Sequence, residues 1–226
     1  MSALAERYAE VQQRIDSKLR TVGRSRSEVT LVVISKNHPS DLVRDLYALG
    51  QTDFGENRDQ EAAPKAASVA DLTRARWHFV GQLQTNKVKS VLNYADVLHS
   101  LDRDSLLDEV SKQTQRLERK LDVFIQLNLT DDPGRGGIRP SDLEIFAQNV
   151  LEQRNLILRG VMGVAALDRD PKWDFETILE ASMRLRELDS GATAISAGMS
   201  HDFEMALEFG ATHLRIGTAI TGNRNL

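Results

Sequence analysis

Eight short runs of aliphatic and β-branched residues recur along the chain, and a helical pattern follows nearly every one. The first is TLVVIS (Thr30–Ser35), and the others are Asp53–Gly55, Arg76–Val80, Asp96–Ser100, Leu121–Leu129, Ile157–Val164, Thr193–Ser196 and Thr212–Ile216. Between them, helical spacing covers Arg58–Val69, Thr85–Leu92, Asp104–Arg119, Pro140–Glu152, Asp174–Leu188 and Ser200–Phe209, and SDLVRDLYALG reads as a helix closed by Gly50. A helical crossover forces the strands it joins to run parallel. Eight parallel strands alternating with helices therefore predict an α/β fold, a (β/α)8 TIM barrel. An open doubly wound sheet is the competitor, but it carries a glycine-rich turn after its first strand. Here that turn reads Lys36, Asn37, His38, Pro39. An extra N-terminal helix precedes the barrel, with Leu4, Tyr8, Val11, Ile15 and Leu19 on one face. No linker or repeat interrupts the pattern, so residues 1–226 are expected to form a single domain.

Composition narrows the function classes. The 226 residues carry a net charge of −4, whereas a dedicated nucleic-acid binder needs a basic face. The chain has no cysteine, which removes disulfides, thiolate nucleophiles and cysteine-held metal centres and fits a cytoplasmic protein. The first twenty residues lack the apolar stretch of a secretion signal, and no run approaches the roughly 18 apolar residues of a membrane span. The five histidines show no metal-binding spacing, and a G-x-S-x-G esterase elbow is missing.

Lys36 alternates with Thr30, Val32 and Ile34, so these four residues share one strand face. If that face is the barrel interior, Lys36 stands at the mouth above an apolar floor. Apolar surroundings favour the neutral amine, the form that condenses with an aldehyde to give a Schiff base. The bland alternative is a solvated lysine at a strand end. The segment ISAGMSHDFEMALEFGATHLRIGTAITG carries the loops after strands seven and eight, which in many barrels form a phosphate site. Ser200 is placed to cap the helix after strand seven, and Gly217 and Thr218 follow strand eight. Their plain alternative roles are a helix cap and a turn. Asp202, in the first turn of that helix, is expected to point to solvent, since it would repel an inward phosphate. Arg215 faces the same side as His213, and a buried arginine requires a partner, either a structural carboxylate or a bound cofactor. His78 is expected to be a hydrogen-bonded core or rim histidine.

Taken in order, VVISK ending at Lys36, FGENRDQE (Phe54–Glu61), WHFVGQLQTNK (Trp77–Lys87), LHSLDR (Leu98–Arg103), GVMGV (Gly160–Val164), and GMSHDFEMAL joined to RIGTAITG form a specific set. The chain resembles the pyridoxal phosphate homeostasis proteins, which share a barrel with the N-terminal domain of alanine racemase. The resemblance runs from about Thr30 to Gly222. It implies that Lys36 holds pyridoxal 5′-phosphate (PLP) as a Schiff base, that Ser200, Gly217 and Thr218 hold the phosphate, and that Arg215 faces the pyridine nitrogen. It also implies that Asn57, in the FGEN block, lines the pocket. Gln82, Ala197 and Thr221 depart from the family pattern, and so does the loop Gly134–Ile138, which reads GRGGI where a lysine–serine–glycine pattern is common. That change weakens the case for a secondary cofactor contact through the loop.

An arginine at the pyridine nitrogen keeps it unprotonated and weakens the ring as an electron sink. A racemase of this type also needs a second base, in its relatives a tyrosine from an added β-domain. The tyrosines here are Tyr8, Tyr47 and Tyr94, all in predicted helices or just before a strand, and no added domain is expected. The reading is a monomeric, cytoplasmic PLP-binding protein of cofactor homeostasis, storing, buffering or delivering PLP to apo-enzymes or exchanging it with free amino acids. The rival is a minimal PLP-dependent amino-acid racemase or transaminase. A third possibility is a PLP-free barrel for a phosphorylated metabolite.

Overall fold

The structure is a computed structural model and describes residues 2–130, 132, 134–166 and 169–222. Eight strands close on themselves in chain order. They are β1 (Thr30–Ile34), β2 (Asp53–Glu56), β3 (Arg76–Phe79), β4 (Val97–Leu101), β5 (Leu121–Gln126), β6 (Leu156–Met162), β7 (Ala194–Ser196) and β8 (His213–Ile216). Every neighbouring pair is parallel, including β8 against β1, where Val33 lies level with Ile216. The expected TIM barrel is therefore present. Around it run α1 (Ala3–Thr21), α2 (Ser40–Ala48), α3 (Asp59–Ser68), α4 (Val88–Val91), α5 (Asp104–Arg116), α6 (Leu143–Leu151), α7 (Pro171–Leu188), α8 (Phe203–Glu208) and the short α9 (Thr218–Thr221).

Alternation along the strands sorts side chains into two shells. Leu31, Val33, Phe54, Trp77, Phe79, Leu98, Val123, Ile195 and Leu214 pack outward under the helices, in the main apolar core. Val97, Phe124 and Met162 form a smaller apolar cluster, while much of the interior is polar, with His78, His99, Ser196 and Arg215 all buried. α1 packs Tyr8, Val11, Ile15 and Leu19 into the outer core. Its Arg7 reaches the far end of the chain, where Nε donates to the Ile220 carbonyl at 2.8 Å and Nη2 to that of Thr221 at 3.3 Å. Arg14 makes a paired contact with Glu204 of α8.

Several boundaries differ from the sequence expectation, four of them for a visible reason. β5 ends at Gln126, not Leu129, because Asn128 N–H turns to the Ile138 carbonyl of the returning loop. α7 starts at Pro171 rather than Asp174: Asp170 accepts the Lys172 N–H, and proline is preorganised for the first helical position. The expected Thr85–Leu92 helix is a 3₁₀ turn (Thr85–Lys87) leading into α4. α8 begins at Phe203, so Ser200 is not its cap.

Candidate functional site

Barrel closure brings the first strand beside the last. Lys36 lies two residues beyond β1, and Gly217 directly follows β8, its Cα position backed by Ile34. Lys36 is at the mouth, as its alternation with Val32 and Ile34 required, but its side chain is exposed. The apolar shielding expected there is absent.

The turn that carries Lys36 is held from both sides. Ser35 is buried, and its hydroxyl donates to Glu56 Oε1 at 2.7 Å. Lys65 of α3 reaches the same oxygen at 2.5 Å and the Ser35 carbonyl at 2.8 Å. On the other side Asn37, in the left-handed region at φ 65°, donates its N–H to Glu61 Oε2 at 2.9 Å. Burial pushes the Glu56 carboxyl above its ordinary value, and Lys65 and Ser35 offset only part of this. Sequence reasoning missed the Glu56–Lys65 pair. Both belong to the stretch beginning FGEN, but only the fold brings a strand-end glutamate under a helical lysine nine positions on.

Ser200, Gly217 and Thr218 converge. Thr218 Oγ1 donates to Ser200 Oγ at 3.2 Å, and the Ala219 N–H donates to the same oxygen at 3.3 Å. Ser200 thus bridges the loop after β7 to the start of α9, a role different from the helix cap expected of it. That loop turns tightly at Gly198, where φ is 92° and an added Cβ would lie 2.8 Å from the Ala206 Cβ, which leaves no room for a side chain. Asp202 does not simply face solvent: its Oδ1 accepts the Met199 N–H at 2.6 Å, so the carboxylate braces the loop. Two hydroxyls and a side-chain-free Gly217 at the start of α9 form a cluster that suits a multi-oxygen anion.

Arg215 is 5% exposed and points into the barrel. Its partners are neutral: Nη1 donates to Ser196 Oγ at 2.6 Å and Nη2 to the Gly163 carbonyl at 2.8 Å. Among the described residues no carboxylate hydrogen-bonds to it. Burial lowers its pKa to about 10, with Asp202 acting in the opposite direction, so it stays charged at neutral pH. Asn57 follows β2, half-buried, and its backbone is pressed against Gly81, where any Cβ would overlap the Asn57 carbonyl. Its neighbour strand is β1, so Asn57 belongs to the same half of the mouth as Lys36.

Over residues 2–225 the chain matches the family described as alanine racemase, N-terminal domain. The chain belongs to that family. It is 38% identical to a pyridoxal phosphate homeostasis protein of Pseudomonas aeruginosa, over 100% of this chain and 97% of that protein. With the protein of the same description from Escherichia coli K12 the identity is 34%, over 100% of this chain and 98% of the other. Among solved structures, PipY of Synechococcus elongatus with PLP bound superposes with a TM-score of 0.85 at 31% identity, covering 97% of this chain and 100% of PipY. Alanine racemase of Corynebacterium glutamicum shares the fold, with a TM-score of 0.67 at 12% identity over 99% of this chain and 61% of the racemase.

This alanine racemase N-terminal-domain barrel keeps its tyrosines away from the mouth. Tyr8 Oη donates to Gln51 Oε1 just before β2, Tyr47 ends α2 beside Arg74, and Tyr94 precedes β4, all at the N-terminal ends of the strands. Over the other half of the mouth lies a cleft of about 990 Å³ with Gln82, Arg103, Arg135 and Arg139 in its lining. The loop Gly134–Ile138 contributes to that cleft; Asp131 and Pro133, just before it in sequence, lie outside the described residues. Among the described residues no group of three or more histidine or acidic side chains is arranged to hold a metal ion, and no helix is long and apolar enough to cross a membrane.

Proposed function

We propose that this protein binds PLP for cofactor homeostasis, with Lys36 as the covalent anchor and Ser200, Gly217 and Thr218 as the phosphate holders. The observation that carries the reading is the juxtaposition created by closure: an amine after β1 beside two hydroxyls and backbone donors after β7 and β8. When bound, PLP supplies an aldehyde that condenses with a primary amine and releases water, a bond that a second amine can exchange. Ser200 and Thr218 grip the anionic end through their hydroxyls, and the start of α9 adds N–H donors. Asn57 lines the pocket on the β2 side. Arg215, which has donors and no acceptor, addresses the ring nitrogen and leaves it unprotonated.

Storage, buffering or hand-over follows from the mouth. Lys36 is exposed, so an incoming amine, from a free amino acid or from an apo-enzyme's lysine, has access to it. The tyrosines lie at the opposite end of the barrel, so none is placed to act as the second base of a racemase. We place the protein in the cytoplasm as a single-domain monomer, in keeping with its lack of cysteine.

An absorbance spectrum of the purified protein with PLP, taken before and after borohydride reduction, tests the anchor. The wild type is expected to show a visible band and, after reduction, a covalent label on the Lys36 peptide. Lys36→Ala is expected to show neither. Cα deuterium exchange of alanine or serine, followed by NMR, tests the racemase alternative; exchange at catalytic rates would replace homeostasis with turnover.

A further inference from the structure

A file of polar side chains crosses the barrel interior beneath the mouth. Asp53, at the start of β2, contacts His78 Nε2 through Oδ1 at 2.9 Å. His78 Nδ1 meets His99 Nε2 at 2.9 Å, and His99 Nδ1 meets Ser196 Oγ at 2.8 Å across the barrel. Ser196 Oγ in turn receives Arg215 Nη1. His78, His99, Ser196 and Arg215 are all at most 5% exposed, and His99 lies stacked on Phe124 with ring centroids 4.5 Å apart.

Both ends of this file fix its direction. Arg215 is a donor without an acceptor site, so the Ser196 oxygen must accept from it. At the other end, burial opposes ionisation of Asp53, but its hydrogen bonds with His78 and Thr52 and the nearby Arg76 outweigh it and hold the carboxyl below its ordinary value. Asp53 is therefore an acceptor. With neutral rings one arrangement satisfies every link: Ser196 donates to His99 Nδ1, His99 Nε2–H donates to His78 Nδ1, and His78 Nε2–H donates to Asp53. The tautomers are assigned from these partners.

We propose that Asp53, His78, His99 and Ser196 form a one-way positioning chain that commits the Ser196 hydroxyl to His99 and so pins the Arg215 guanidinium in the orientation that faces the mouth. A buried network of this kind is stabilising only when every member is satisfied, and its direction is set by all members together. Arg215 is the residue proposed to address the PLP ring, so this inference rests on the PLP reading. The chain members act through Arg215 and touch no cofactor themselves.

Two substitutions at one position separate positioning from packing. His99→Asn puts an amide oxygen near the Nδ1 position and keeps an acceptor for Ser196, whereas His99→Gln puts its amide near Nε2 and loses that acceptor. Ser196→Ala, a smaller change, removes the acceptor for Arg215 directly. In His99→Gln and Ser196→Ala we expect PLP affinity to fall about tenfold, one lost hydrogen bond to a charged group, together with a shift in the visible band of the bound cofactor. His99→Asn is expected to stay nearer the wild type in both. Nitrogen-15 spectra of the cofactor-free protein should show both rings protonated at Nε2 and bare at Nδ1. Equal changes in His99→Asn and His99→Gln, an unaltered Ser196→Ala, or rings protonated at Nδ1 would each overturn the chain. A wild type that takes up no PLP overturns the cofactor reading instead, and the ring spectra still report the chain's direction.

Discussion

His213 shows how the polar interior couples this fold to pH. Burial first, and then the charge of His78, bring its pKa down to about 3, with Asp53 opposing and Arg76 and Arg215 reinforcing the shift. In the unfolded chain the same ring titrates near 6.5. Between these two values the unfolded state binds the extra proton, so stability falls as pH falls through that window, by about 1.4 kcal/mol per pH unit from this group. His213→Gln should remove that component. Urea unfolding at pH 5 and pH 7 would show a smaller pH dependence in the variant, and identical dependence in both proteins would refute the assignment. The individual candidate residues could be singled out in the sequence because each ends or follows a predicted strand. What Arg215 touches was not: its partners, Ser196 and the Gly163 carbonyl, come from β7 and the end of β6, and nothing in local spacing pairs them.

Two elements, β2 and α3, hold the Lys36 turn through a buried ion pair. Removing one member of such a pair leaves a desolvated charge and costs about 3–5 kcal/mol. Lys65→Met is expected to fall in that range at pH 8. The loss should be smaller at pH 5: the Glu56 pKa is already raised, so without Lys65 the folded state takes up a proton that the unfolded state releases, and stability declines as pH rises. Chemical denaturation at the two pH values decides it, since a loss independent of pH would mean Glu56 is not the group left exposed to the deficit. Element order and type could be read from periodicity, because the strand runs are apolar and the helices amphipathic. Their ends could not. β5 gives up three expected residues to a pairing of Leu127 with Ile138 eleven positions later, and α8 starts late because Asp202 engages the Met199 N–H instead of leaving Ser200 to cap.

At the scale of the whole molecule, α1 acts as a strap over the closing seam, its Arg7 tying the carbonyls at the end of α9 while Arg14 holds α8. Arg7→Ala is expected to lower stability by about 1–2 kcal/mol. It should also weaken PLP binding, because α9 begins at Thr218; thermal melts and equilibrium dialysis would separate the two effects, and unchanged binding would show that α9 needs no strap. The seam itself, β8 against β1, was implied by the count of eight strands but not by any residue in them. It also sets an order of events in the cell. Lys36 leaves the ribosome before the hydroxyls and backbone donors that follow β7 and β8 and are proposed to grip PLP, so a chain still short of β8 has no complete site, and loading must wait until the tunnel has released that strand.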